Sequence, residues 1–122
     1  MEIMVVDDEP ILRLVFSEIL RDAGYSVSDA PTADEALAML EDGCEPRVVV
    51  TDVHMPGELN GFELAKVICR RWPHIGFVLV SGRLRPSEDE LPDKSRFLSK
   101  PVSPESLTST VREVAATTAE PR

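Results

Sequence analysis

Cysteine is scarce in this chain, with two residues, Cys44 and Cys69, among 122. Neither belongs to a CxxC pair or to a Cys/His ligand spacing, so no disulfide framework or zinc site is indicated, and two free thiols suit a reducing cytosol. Basic residues are the minority, 13 against 22 acidic for a net charge of −9, and no lysine or arginine run occurs. Such a surface repels a phosphate backbone, which disfavours direct nucleic-acid binding. Long hydrophobic runs are missing too. The only early one, Ile3 to Val6, is far too short for a signal peptide or membrane span. It leads into Asp7-Asp8-Glu9-Pro10 rather than into a Gly- or Ser/Thr-rich phosphate loop, so a nucleotide or flavin site is a poor match. There are no internal repeats or low-complexity tracts. What remains is an ordinary globular composition, 43% hydrophobic and 29% charged, expected to make one cytoplasmic domain over residues 1–117 with a frayed tail at 118–122.

The most informative stretch is Val48-Val49-Val50-Thr51-Asp52-Val53-His54-Met55-Pro56-Gly57. Three β-branched residues in succession predict a strand buried on both faces, ending at a lone acid and a turn. An ionisable side chain at the mouth of a buried strand is costly unless its charge is used. Asp52 is therefore the candidate nucleophile.

Around it, strands are predicted at 2–6, 25–29, 47–51, 75–80 and 96–98. Pro10 starts a first helix with Leu12, Val15, Phe16 and Ile19 at helical spacing, and Gly24 stops it. Thr32-Ala33-Asp34-Glu35 reads as a capping box for a second helix, carrying Ala36, Leu37 and Leu40, that ends at Gly43. Asn60-Gly61-Phe62-Glu63 opens a third, through about Arg71, with Phe62, Ala65, Ile68, Cys69 and Trp72 on one stripe. Ser103 and Pro104 start a last helix whose Leu107, Val111 and Val114 face inward. Pro86 and Pro92 leave 83–95 with one or two helical turns at most, or an irregular loop.

Strand–helix alternation predicts an α/β fold, a flavodoxin-like doubly wound five-stranded parallel sheet of order 2-1-3-4-5. Right-handed crossovers end every strand at one rim, which gathers Asp7, Asp8, Asp52, Ser81 and Lys100. Asp29, delivered by the outer strand, is expected to be a bystander. Three neighbouring carboxylates repel unless a hard divalent cation such as Mg²⁺ joins them. With the ammonium of Lys100 and the hydroxyl of Ser81, the set fits phosphoryl transfer to a carboxylate.

These residues resemble the receiver domain of bacterial two-component response regulators. The resemblance is carried by Val5-Val6-Asp7-Asp8-Glu9-Pro10, by Thr51 to Gly57 with Gly61, by Val80-Ser81-Gly82 and by Lys100-Pro101, and covers about residues 2–116. It implies that Asp52 is phosphorylated by a sensor histidine kinase or histidine phosphotransfer protein. Asp8, Asp52 and the main-chain carbonyl of His54 would bind Mg²⁺ directly, with Asp7 acting through water. Ser81 would hydrogen-bond the phosphoryl group, Lys100 would pair with it across a cis Lys100-Pro101 bond, and Phe97 would be the switch aromatic. The side chains of His54 and Arg83 would tune the phosphate lifetime; both His54 and His74 are expected to face solvent.

Two departures stand out. The interval from Asp52 to Gly61 is one residue longer than the commonest family spacing, and the Pro-broken stretch after Ser81 leaves the family's fourth helix short or irregular. The family dimer does not carry over, so a monomer or weak dimer is expected. The Ser-Gly after strand 4 also resembles stand-alone receivers of alphaproteobacterial type, acting on a downstream protein with no attached output domain. Two other readings compete. One is an unphosphorylated adaptor on the receiver fold. The other is an aspartyl-phosphate hydrolase of the haloacid dehalogenase type, which needs a second acid where this chain has His54.

Overall fold

Unbroken β-branched runs need cover on both faces, and the protein supplies it. The computed structural model describes residues 2–54, 59–82 and 94–117. Its five strands are β1 (Glu2–Val6), β2 (Ser26–Ala30), β3 (Val48–Asp52), β4 (Gly76–Ser81) and β5 (Ser95–Ser99). All neighbouring pairs are parallel, in the order β2-β1-β3-β4-β5. The helices described are α1 (Pro10–Asp22), α2 (Ala33–Glu41), α3 (Gly61–Arg71) and α4 (Pro104–Thr117). This is the flavodoxin-like arrangement the sequence predicts. The Met55-Pro56-Gly57 turn, the tail from 118, and 83–93 of the stretch expected to hold a short helix or loop lie outside the described residues.

Every residue of β3 and β4 is buried, whereas β2 and β5, at the two edges, are largely exposed or half-buried. The sheet divides the interior in two. Met4, Val6, Val49, Phe77 and Leu79 pack beneath α2 and α3 with Ala36, Leu40, Leu64 and Ile68. Ile3, Val5, Val48, Val50, Val78 and Val80 pack beneath α1 and α4 with Phe16, Leu20, Leu107 and Val111. Successive strand residues thus alternate between the two cores.

The helix signals hold at residue level. Asn60 and Glu63 form a reciprocal capping box, each side chain meeting the other's main-chain N–H at 2.9 Å. At α2 only half of the expected capping box forms: the Thr32 hydroxyl accepts from the Glu35 amide at 3.1 Å, with no return bond from the Glu35 side chain among the described residues. After α1, the amides of Gly24 and Tyr25 reach back to the carbonyls of Arg21 and Leu20, a closure that puts Gly24 in the left-handed region at φ +100°. At the far end of α3, Trp72 is half-buried with the Arg71 guanidinium 4.5 Å from its ring centroid.

Three details correct the sequence reading. β2, β3 and β4 each begin and end one residue later than expected, at 26–30, 48–52 and 76–81, and β5 is one residue longer at each end, at 95–99. The interior stripe of α1 is Phe16 and Leu20, while Val15, expected inside, is 43% exposed together with Ile11 and Leu14. Val15 lies one residue, a rotation of about 100°, from Phe16, and α1 is covered by the sheet on one side only. Leu64, not singled out in the sequence, is fully buried in α3. Among the described residues, no helix is long and apolar enough to cross a membrane.

Candidate functional site

Parallel strands deliver their last residues to a common rim, and β1 and β3 are hydrogen-bonded neighbours. The chain leaving β1 therefore places Asp7 and Asp8 beside Asp52, the last residue of β3. Carboxylate oxygens of all three lie within 4.8 Å of one another. Asp7 is buried at 1% exposure and Asp52 at 8%, while Asp8 is half-buried. From β5, the Lys100 ammonium approaches the Asp52 carboxylate to 3.6 Å. The Lys100 amide donates to the Ser81 carbonyl at 2.9 Å, which continues the β4–β5 ladder one step past the strands and sets the lysine beside the serine. The Lys100–Pro101 peptide is cis.

Two close approaches fix the carboxylate platform. The Thr51 hydroxyl donates to the Asp52 carbonyl at 3.0 Å. Gly61, the first residue of α3, donates its amide to the Val53 carbonyl at 2.8 Å and lies so near β3 that a Cβ there would run into the Asp52 carbonyl oxygen. Only glycine allows this contact.

Among the described residues, Asp7 is the most perturbed acid. Burial raises its pKa from 3.8 to about 6, with Asp52 and Asp8 adding repulsion against the Glu9 amide and Lys100, which lower it. The Glu9 amide donates to Asp7 Oδ1 at 2.9 Å. Because the folded-state pKa lies above the unfolded one, the native protein holds the extra proton between about pH 4 and 6. The metal-free protein should gain stability as pH falls through this window and lose it as pH rises. Urea titrations of wild type and Asp7→Asn across that range check this: equal pH slopes in the two proteins would contradict it. Cation affinity should move the other way, falling below about pH 6 as protons compete for Asp7.

The donor set is all oxygen, and among the described residues one ammonium against three carboxylates leaves an excess of negative charge that a divalent ion matches. Mg²⁺ and Ca²⁺ prefer such ligands, and Mg²⁺ needs few protein carboxylates. The residues fit a hard divalent cation.

The other sequence candidates are distributed unevenly. Ser81 is buried at 2% exposure at the end of β4. Phe97 is half-buried against the α2/α3 core, its Cα paired with Leu79, two residues before Ser81 on the same sheet face. His54, expected to face solvent, instead has a buried Nε2 with no hydrogen-bond partner among the described residues. It follows directly on buried Val53, which carries the chain below the surface one step beyond the strand. His74 is exposed. Arg83 lies outside the described residues. Asp29 is on the edge strand as expected, but its carboxylate pairs with Arg13 Nε at 3.1 Å. Sequence reasoning passed over Arg13, whose Nη1 donates to the Asp7 main-chain carbonyl at 2.8 Å. The available signal was its place on the first helical turns after the acidic pair.

Comparison with known proteins agrees with this fold. The family model of the response regulator receiver domain matches residues 3–112. The sensor kinase CckA of Brucella abortus is 36% identical over 119 residues, covering 92% of this chain, which spans only 12% of that protein. A response regulator receiver protein from Sinorhizobium medicae superposes with a TM-score of 0.85 at 30% identity, covering 98% of this chain and 97% of that one. The response regulator TrrA of Thermotoga maritima, solved with Mg²⁺ and BeF, gives a TM-score of 0.82 at 27% identity over 93% of this chain and 97% of its own.

Proposed function

Because this chain belongs to the response regulator receiver domain family of two-component signalling, we propose that it is a phosphoryl-accepting switch and that Asp52 is the acceptor. One observation carries the reading: the Asp52 carboxylate ends a central strand within 4.8 Å of two other acids and 3.6 Å from an ammonium. The donor is a phosphohistidine on a sensor kinase or phosphotransfer protein. An Asp52 oxygen attacks phosphorus; the P–O bond forms as the P–N bond breaks, and the leaving imidazole keeps the electron pair and takes a proton from solvent.

Asp7, Asp8 and Asp52, with the main-chain carbonyl of His54, would hold Mg²⁺. When bound, Mg²⁺ supplies positive charge at the equatorial oxygens of the phosphoryl group. Lys100 offers the same from the other side, and the Ser81 hydroxyl donates to a phosphoryl oxygen. Ser81 and Phe97 share a strand pair and a sheet face, so a shift of Ser81 toward the phosphoryl group frees space toward which Phe97 turns. The exposed Ile11, Leu14 and Val15 on α1, the helix that leaves the acidic pair, give the donor protein an apolar landing surface. His54 and Arg83 are proposed to tune how long the phosphoryl group survives. The chain acts on no separate substrate, and its output is a changed surface read by a downstream protein.

Intact-mass measurement tests this reading. Incubation with acetyl phosphate and Mg²⁺ should add a single phosphoryl group, and chelating the metal should suppress the addition. No mass gain in the wild-type protein would reject the proposal.

A further inference from the structure

The Asp7 main chain is tied down from several directions. Its amide donates to the Ala30 carbonyl of β2 at 3.2 Å, its side chain accepts from Glu9, and its carbonyl accepts from Arg13 Nη1 at 2.8 Å. That carbonyl belongs to the peptide linking Asp7 to Asp8. A peptide unit is planar, so holding its oxygen fixes the direction in which the Asp8 Cα leaves the plane. The same guanidinium is held through Nε by Asp29 Oδ2 at 3.1 Å, and Asp29 is anchored on β2 opposite Val5 of β1. The planar fork of arginine can bind both acceptors at once, which a lysine ammonium on a flexible stem does less well.

We propose that Arg13 and Asp29 are positioning residues that set the angle between the two acids at the end of β1, so that the sheet's edge strand governs cation affinity at the rim. The inference rests on the reading of Asp7, Asp8 and Asp52 as the cation site. Arg21 provides a built-in contrast. It also reaches from α1 to β2, donating to the Val27 carbonyl at 3.3 Å, and so holds helix to strand just as Arg13 does. No bond connects it to the acidic pair among those described.

Calorimetric titration with MgCl₂, paired with thermal melts of the same metal-free proteins, separates positioning from simple strapping. Arg13→Ala should weaken Mg²⁺ binding about tenfold, in the range expected for partners that orient metal ligands. Asp29→Asn, a change on a half-exposed side chain, should weaken it about threefold, since exposed ion pairs hold less firmly. Arg13→Lys should fall between wild type and Arg13→Ala. The double variant Arg13→Ala/Asp29→Asn should bind no more weakly than Arg13→Ala, because Asp29 acts through Arg13. Arg21→Ala should leave Mg²⁺ affinity at the wild-type value even if its melting point drops. Wild-type Mg²⁺ affinity in both Arg13→Ala and Asp29→Asn, or additive losses in the double variant, overturns the proposal. A wild-type protein that binds no Mg²⁺ removes the cation site itself, and that result is distinct from unchanged affinity in the variants.

Discussion

Asp52→Asn is expected to gain no phosphoryl mass from acetyl phosphate and Mg²⁺ under conditions that modify the wild type. An amide lacks the anionic oxygen that attacks phosphorus, and the neighbouring acids make poor substitutes. Asp7 is 1% exposed, and its Oδ1 is engaged by the Glu9 amide. Among the described residues, Asp8 has no ammonium partner of the kind that Lys100 gives Asp52. The substitution should also change stability. In the metal-free protein it removes a nearly buried charge that repels Asp7 and Asp8, leaving Asp7 easier to ionise, and gives up one partly solvated ion pair. Relief of the repulsion on Asp7 is expected to make metal-free Asp52→Asn the more stable protein by about 1 kcal/mol. Urea denaturation in chelator measures this. A less stable variant would show that the contact with Lys100 dominates, and a phosphorylated one would move the acceptor elsewhere.

Gly61→Ala should do the largest structural damage for one added methyl group. The new Cβ would collide with the Asp52 carbonyl oxygen and lie 2.8 Å from Val53 Cα, main-chain atoms at the end of a central strand and one step past it. Neither can move aside by changing a rotamer. Either α3 lifts from the end of β3 and loses the Gly61 amide bond to Val53, or β3 shifts and takes the Asp52 carboxylate with it. A loss of about 3 kcal/mol is expected, the upper part of the overpacking range, together with weaker Mg²⁺ binding. Gly82 is the matched control. Among the described residues a Cβ there would meet only the Lys100 side chain, at 3.6 Å, which is ordinary contact, so Gly82→Ala should stay near wild type in a urea titration. Equal midpoints for the two variants would mean that the approach at Gly61 is not tight.

The sequence was most legible where one physical demand overrode all others. Val48 to Val50 and Phe77 to Val80 have no alternation because both faces are covered, and they proved to be adjacent central strands. Asp7, Asp8, Asp52 and Lys100 could be grouped without coordinates because a parallel sheet has a single carboxyl rim. Legibility fell where the outcome depended on what lies opposite. Strand ends were off by one residue at edge and centre alike, because a side-chain pattern does not mark where a ladder's hydrogen bonds begin. Val15 looked like core because helical spacing gives a stripe but not the angle at which the sheet meets it. The Gly61 contact and the Arg13 carbonyl bond join residues that no local pattern links, the one by lack of a side chain and the other by the length of one. His54 looked solvent-facing because it follows a strand end, where the chain is expected to surface.

The position of Trp72 bears on how such variants can be followed. α3 starts against Asp52 and runs 11 residues before the indole, about 16 Å at the helical rise. The lone tryptophan therefore views the opposite end of the sheet, with an arginine over its ring and no part of the acidic pocket nearby. Its fluorescence should be blind to a cation or phosphoryl group at Asp52 and sensitive to loss of the packing under α3. That makes it an unbiased gauge of unfolding in the pocket variants, since signal changes from occupancy will not contaminate the baseline.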